Sequence, residues 1–582
     1  MVSDRPSPSR RALLGALAAA PAGAALGIGG STSAAPAAGE EVQSVDLARF
    51  VWRGVTHSFR SDGVPVDATA IAALRDLLLT SEAKRLEIVL PAGIVHLGAT
   101  AGRTAGIQIQ RSNVTLRGAG KHTTTVQVTS AYTALPTTMV DGIATFDGFG
   151  IVIAKFVRGR WTVLNGITIA DFTLEDLNSA GHGSPDSKTN NAGGTFFAYN
   201  VNDIELINFR VVNGKGNGSI TINGATDQHG PLNHGCRCIN VDIIKDPGRP
   251  GAFAEGDGYN IGSYRDVQII GGSIIGMQRH ALEGGSPGVG MLVDGVFVDQ
   301  LGQGFSGINP TGYSDVRIVN CHLRNVRTPW YFIDMTDDPG ARAPNMRSLQ
   351  FIGNLLEWSL PEGAPATSVI RTQTIGYPST TGRVLIANNI FAGDFYYAWS
   401  VGSNDSPSGI VSGNDCSKML RAQAFLNRIS NTGTAPPADG TLLFANNVFP
   451  ARMAAVRFDA NLPEWRNTRF VRQQGNARGR TLNDATGPNE VGRLTVQSAA
   501  WIGGVVPAHQ VSAATRVRIA DATPGDTVKF IPAPSWPAGP ATELCGYVSE
   551  NNTVMVWVRN ATATPSPALG PVNSFYVEIE RV

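Results

Sequence analysis

Asp257 stands between two glycines in "EGDGYNIG" (255–262), and "QRHALEG" (278–284) soon follows with Arg279, His280 and Glu283. "PWYFIDM" (329–335) then supplies Trp330, Tyr331 and Asp334, with Asp337 and Asp338 just beyond. Two kinds of chemistry suit these side chains. Cleavage of a glycosidic bond needs two carboxyls, one kept protonated as acid and one ionised as base or nucleophile. Asp257, Glu283 and Asp334 are the candidates. Arg279 near Asp257 is expected to hold that Asp ionised, and a more enclosed Glu283 to carry the raised pKa. β-Elimination on a uronate needs a cation, a base and an acid; Arg279, His280, Lys245 and Tyr259 could supply them. Trp330 and Tyr331 offer flat faces to a sugar ring, and Tyr259, Lys245, Asp337 and Asp338 complete the candidate substrate contacts. The plainer reading is a solvated outer face whose charges pair with one another.

Residues this far apart in the chain need a scaffold that returns to one face. A phrase of alternating apolar residues ending in Asn, Gly or Asp recurs along the chain. Its copies include "VTLRG" (114), "ITIAD" (167), "IELIN" (204), "CRCIN" (236), "VQIIG" (267) and "GMLVD" (290). It continues as "VRIVN" (316), "LQFIG" (349), "VLIAN" (384), "GIVSG" (409) and "LLFAN" (442). Such spacing predicts one rung of a parallel β-helix per copy, each rung leaving an apolar edge that the next one covers. Asn, Asp and Gly at the fifth position tolerate the left-handed bend between strands, and stacked Asn side chains can bond along the axis. "GSITING" (218), "GDGYNIG" (256), "QRHALEG", "GFSGINP" (304) and "PWYFIDM" then align as outward strands beside a groove, adding Asn309, with Lys245, Asp246 and Arg249 on adjoining loops.

Ahead of the coil, "DATAIAALRDLLL" predicts an amphipathic helix with Asp67 as N-cap and Ile71, Leu74 and Leu78 on one face. Such a helix would plug the open end of the stack. The first strand is expected in "LEIVLPAGIVHLG" (86–98). Residues 39–100 thus read as N-terminal cap and first strand, 101–455 as the parallel β-helix, 456–490 as C-terminal cap or linker, and 491–582 as a small β-sandwich.

With 47 basic and 46 acidic residues the chain has no field for gathering nucleic acid. Arg10 and Arg11, an apolar Ala/Gly-rich stretch and "APA" (35–37) read as a twin-arginine export signal over residues 1–38. A secreted or periplasmic protein is expected, with no membrane partner after cleavage. Five cysteines make no disulfide framework; Cys236 and Cys238 read as two core residues on one strand. His182, His229 and His234 lack ligand spacing, and no metal or cofactor is expected.

"SDGVPVDATAIAALRDLL", "IVLPAGIVHL" and "VTLRGAG" resemble the opening of pectin-lyase-like right-handed parallel β-helix proteins. These include pectate lyases, polygalacturonase-like glycosidases, fructan-processing transferases and phage tailspikes. The resemblance covers roughly residues 55–455. It implies an all-β solenoid with an N-terminal capping helix, a polysaccharide or oligosaccharide partner, and a carbohydrate-active enzyme or a tailspike-like glycan binder. The polygalacturonase motifs are absent in order, "GHG" at 181–183 standing alone, and no acidic calcium cluster of the pectate-lyase kind is evident. Hydrolase, lyase and non-catalytic binder therefore stay open, hydrolase first because acids outnumber base–neutraliser pairs. Homo-oligomers fit the architecture, but no heptads mark them.

Overall fold

The structure is a computed structural model. It describes residues 42–580 apart from 101–102, 105, 130–137, 141–142, 146–148, 178–194, 217, 225–231, 246–255, 278, 285–287, 302–305, 311, 326–330, 336–347, 359–365, 373–382, 402–407, 421, 423, 429–441, 451–453, 459–470, 475–476, 479–496, 501–504, 519–523, 525–526, 533–542, 552 and 567–573. The export signal expected over 1–38 lies outside the described residues.

Three long parallel sheets share the chain. Among the described residues the first and second hold 14 strands each and the third 12, and the chain visits them in turn, rung after rung. Parallel crossovers of this kind are right-handed. The alternation of the repeat phrase explains the stacking. Val114, Ile167, Ile204, Cys236, Val267 and Met291 point inward on successive rungs of the first sheet and merge into one continuous apolar core. Cys236 and Cys238 are buried there, as the sequence reading has it, and all five cysteines are free thiols.

In nine of the eleven copies the fifth residue of the phrase makes the corner, whereas Gly118 in the first copy does not take a positive φ. Asp171, Asn208, Asn240, Gly271, Asn320, Gly353, Asn388, Gly413 and Asn446 all have positive φ, between 47° and 68°. The copy at 290 is shifted by one: Met291 pairs with Val267, so Gly295, not Asp294, takes the left-handed bend. Side chains here do bond along the axis, Asn208 donating to Asp171 at 2.8 Å and Asn240 to Asn208 at 3.1 Å. A second, fully buried asparagine ladder occupies the next position. Asn354 donates to Asn389, Asn389 to Asn414 and Asn414 to Asn447, at 3.0, 2.9 and 2.8 Å. Each amide nitrogen also bonds a carbonyl of the preceding rung, so these polar groups are satisfied inside the core.

The capping helix runs Ala68–Thr80, with the Asp67 carboxylate accepting from Thr69 N at 2.7 Å. Ile71, Leu74, Leu77 and Leu78 are buried and continuous with the coil's core. Strand pairing starts earlier than expected, because Val42–Asp46 pairs with Arg85–Val89. It also continues into Val471–Gln474 and Ala477–Arg478, within the stretch read as cap or linker.

Two features complete the architecture. Between the first two repeat copies, Thr138–Val140, Ile143–Thr145, Lys155–Val157 and Arg160–Thr162 form an antiparallel sheet that sequence reasoning did not foresee. The C-terminal strands form two three-stranded antiparallel sheets, and Val506, Val517, Val548, Val554, Val556, Val558, Phe575 and Val577 share one core. No helix among the described residues is long and apolar enough to cross a membrane.

Candidate functional site

The third sheet carries the candidate residues. Its register aligns Thr221 with Asn260, Asn260 with Glu283, and Glu283 with Asn309. Ile308 pairs with Ile333, which puts Asp334 at the level of Asn309, and Asp334 pairs with Arg371. Glu283 and Asp334 therefore lie two rungs apart in one column, with backbones about 10 Å from each other.

Asp257 opens the strand Asp257–Gly262 and is completely buried. Gly258 explains why a glycine must follow it: a Cβ there would stand 2.4 Å from the Ala281 carbonyl oxygen. The close approach lets the Asp257 carboxyl accept a hydrogen bond from His280 N at 3.1 Å. The Arg279 guanidinium lies 3.6 Å from Asp257 and 3.5 Å from Glu283. The Asn260 amide donates to Glu283 at 3.0 Å and reaches Asp257 at 3.5 Å. The two carboxyls also hydrogen-bond to each other.

That cluster splits their proton affinities. Burial, the neighbouring negative charge and the bond to Glu283 hold the Asp257 pKa well above the usual carboxylate range, outweighing Arg279 and His280 N. Burial also pushes Glu283 upward, but the bond from Asp257, then Arg279, His280 and Asn260, bring its pKa below the usual value. The expected roles are thus exchanged: Asp257 keeps the proton and Glu283 is ionised. The physical reason is exposure, none at Asp257 and 17% of the side chain at Glu283. Burial lowers the His280 pKa to about 4; Glu283 opposes the shift and Arg279 adds to it. The imidazole is neutral near pH 7.

Several other candidates go elsewhere. Tyr259 points into the core, fully buried, its hydroxyl beside the Cys238 thiol and without a stronger partner, so it meets no substrate. Its inward parity with Ile261 is the cause. Lys245 is buried and donates to the Gly214 carbonyl; burial, with repulsion from Lys215 and against attraction to Asp176, lowers its pKa to about 8. It too is an interior group rather than a substrate contact. Tyr331 sits at the register position of Ser306. Trp330, Asp337, Asp338, Asp246, Arg249, His182 and His229 lie outside the described residues. Asn260 was missed, although its place between inward-facing Tyr259 and Ile261 puts it on the outward face. Among the described residues no three His, Cys, Asp or Glu side chains converge as metal ligands.

A groove of about 1110 Å³ runs along a different face, the outside of the first sheet. Among its charged side chains Arg237 lies 3.0 Å from Glu205, Glu87 lies 2.6 Å from Arg117, and His234 is 3.3 Å from Asp203. These pairs are partly or largely exposed to solvent, as on an ordinary outer face.

Three parallel sheets, an interior asparagine ladder and a capping helix decide the architecture. The chain has a right-handed parallel β-helix fold. Similar solved structures include a tailspike protein mutant of E. coli bacteriophage HK620 in complex with a hexasaccharide. It is 14% identical over 90% of this chain and 91% of that one, with a TM-score of 0.45. Another is the Pseudomonas phage phi297 tailspike gp61, 11% identical over 89% and 93%, with a TM-score of 0.39. A third is an exopolygalacturonase from Thermotoga maritima, 11% identical over 75% and 92%, with a TM-score of 0.37. No family model matches the chain, and no curated protein does.

Proposed function

We propose that this protein is an exported carbohydrate-active enzyme that hydrolyses glycosidic bonds of a polysaccharide or oligosaccharide. The observation that carries the reading is the Asp257–Glu283 pair, two touching carboxyls whose environments drive their pKa values in opposite directions on one face of the coil. Glu283 is the ionised, partly exposed member and suits a base that activates water. The bond from buried Asp257, and after that Arg279, keeps Glu283 ionised. We assign the acid to Asp334, two rungs from Glu283 in the same column with about 10 Å between the backbones. Export by the twin-arginine signal at residues 1–38 belongs to the same reading.

A lyase is the second reading, favoured by one observation: neutral His280 beside Arg279 pairs a base with a cation. It is the weaker because Tyr259 and Lys245, its other participants, are interior, and because an imidazole with a pKa of about 4 is a poor base.

The test is incubation of the mature protein with a panel of acidic and neutral polysaccharides, followed by reducing ends, ultraviolet absorbance of unsaturated uronates, and product mass. New reducing ends without that absorbance support hydrolysis. Unsaturated products establish the lyase instead. Retention on a glycan column without any product leaves a binder, and the enzyme reading fails.

A further inference from the structure

The inserted antiparallel sheet packs on the outer face of the third sheet, at the end of the coil nearest the capping helix. There Phe149, Val152, Ala154 and Phe197 form an apolar cluster separate from the coil's core. Trp161 and Phe156 from the insertion close over it with ring centroids 4.8 Å apart, and Trp161 lies 4.5 Å from the Tyr199 ring. Phe197 stacks parallel to Tyr199 at 6.3 Å. Phe149, Val152 and Phe197 are fully covered, whereas Trp161 and Tyr199 keep part of their surface exposed. Both rings pack against aromatic neighbours on one side.

The position of this patch matters more than its composition. Phe197 pairs with Thr221, Thr221 with Asn260 and Asn260 with Glu283, so the patch begins three rungs, or about 14 Å, from Glu283 on the same outward column. Tyr199 pairs with Asn223. Half-buried Asn223 and Asn260 lie on the rungs between the aromatic rings and the carboxylate.

We propose that Trp161 and Tyr199 form a remote binding subsite that stacks one pyranose ring of the polysaccharide while a bond further along the same chain lies at Glu283. The inference rests on the glycan reading above. Chemically, the electron-rich face of an aromatic ring attracts the polarised C–H groups on the flat side of a sugar. The amides of Asn223 and Asn260 offer donors and acceptors to the hydroxyls in between. The ligand class is an extended glycan several sugars long, running along the coil axis toward the helix-capped end. Short oligosaccharides would occupy the carboxylate end alone.

Affinity electrophoresis tests it on the full mature chain. Gels contain polygalacturonate, alginate, hyaluronan, xylan or dextran, and the proteins carry Glu283→Gln alone or with Trp161→Leu or Trp161→Phe. The single variant is expected to be retarded by the polymer that the unmodified protein cleaves. Trp161→Leu is expected to weaken that retardation about 2- to 10-fold in dissociation constant, the worth of one aromatic stack, and Trp161→Phe to keep most of it. Equal retardation of all three overturns the subsite while leaving the enzyme reading intact. Equal loss in the Leu and Phe variants also overturns it, because a flat ring is then not what binds. Absence of both retardation and product in every polymer overturns the glycan reading itself, and the subsite with it.

Discussion

Asp257 and Glu283 hydrogen-bond to each other although the strand register pairs neither with the other. Glu283 is opposite Asn260, and Asp257 is level with His280, whose backbone N–H it accepts at 3.1 Å. The contact is diagonal, reached across one rung by the longer Glu side chain and clamped from outside by Arg279. A diagonal pair places one carboxyl inside the wall and the other at its surface. Exposure then separates their protonation states.

Glu283→Gln removes the ionised member and is expected to lower turnover roughly 100- to 10,000-fold, the usual worth of a general base. Asp257→Asn keeps the shape and a donor toward Glu283, so its loss should be clearly smaller. Turnover on the cleaved polysaccharide checks the ranking; an unchanged Glu283→Gln variant would remove Glu283 from the mechanism.

Asp257 also predicts a pH dependence of stability. Its native pKa is raised, so from the ordinary carboxylate pKa near ~3.9 upward the folded chain holds a proton that the unfolded chain has lost. Its contribution is fully present below that value and is lost as pH rises through the native pKa. Asn cannot ionise and escapes the loss. The melting temperature of Asp257→Asn relative to the unmodified protein should therefore be higher at pH 8 than at pH 4. A constant offset across that range counts against the buried proton.

After the bond from Asp257, Arg279 is the next largest influence keeping Glu283 ionised, from a position only partly shielded from water. Arg279→Gln should let the Glu283 pKa rise, moving the acid limb of the pH–rate profile to higher pH. Arg279→Lys should move it less, since the charge is kept while the two-pronged geometry is lost. The pH profile of kcat/KM for the three proteins decides this. A limb that stays in place assigns Arg279 to substrate binding alone.

Much of the coil was legible because one position of the repeat must adopt a left-handed bend, which Asn388, Gly413 and Asn446 supply in successive copies. The buried ladder at Asn354, Asn389, Asn414 and Asn447 was equally visible, each immediately following the bend residue, but side-chain burial is not written in residue type. The site was half legible. Spacing brought Asp257, Arg279 and Glu283 together, yet which carboxyl is enclosed depends on how closely Gly258 lets two rungs approach. Tyr259 was misread because strand parity, which turns it inward with Ile261, was not applied to it. The aromatic insertion around Trp161 showed only as an unusually long gap between the first two repeat copies.

The asparagine ladder yields a contrast between adjacent residues. Asn389 is completely buried; it donates to Asn414 and to the Phe351 carbonyl and accepts from Asn354. Asn389→Ala strands the Asn354 backbone N–H, breaks the ladder and opens a small void, so it should cost on the order of 3 kcal/mol. Asn388, next to it, has φ 55° and an exposed side chain. Asn388→Gly should leave stability nearly unchanged, because Gly takes the bend freely, whereas Asn388→Val should cost about 1–2 kcal/mol from strain alone. Denaturant unfolding of the three variants checks the order. If Asn388→Gly proves as damaging as Asn389→Ala, the corner rather than the buried ladder holds adjacent rungs together.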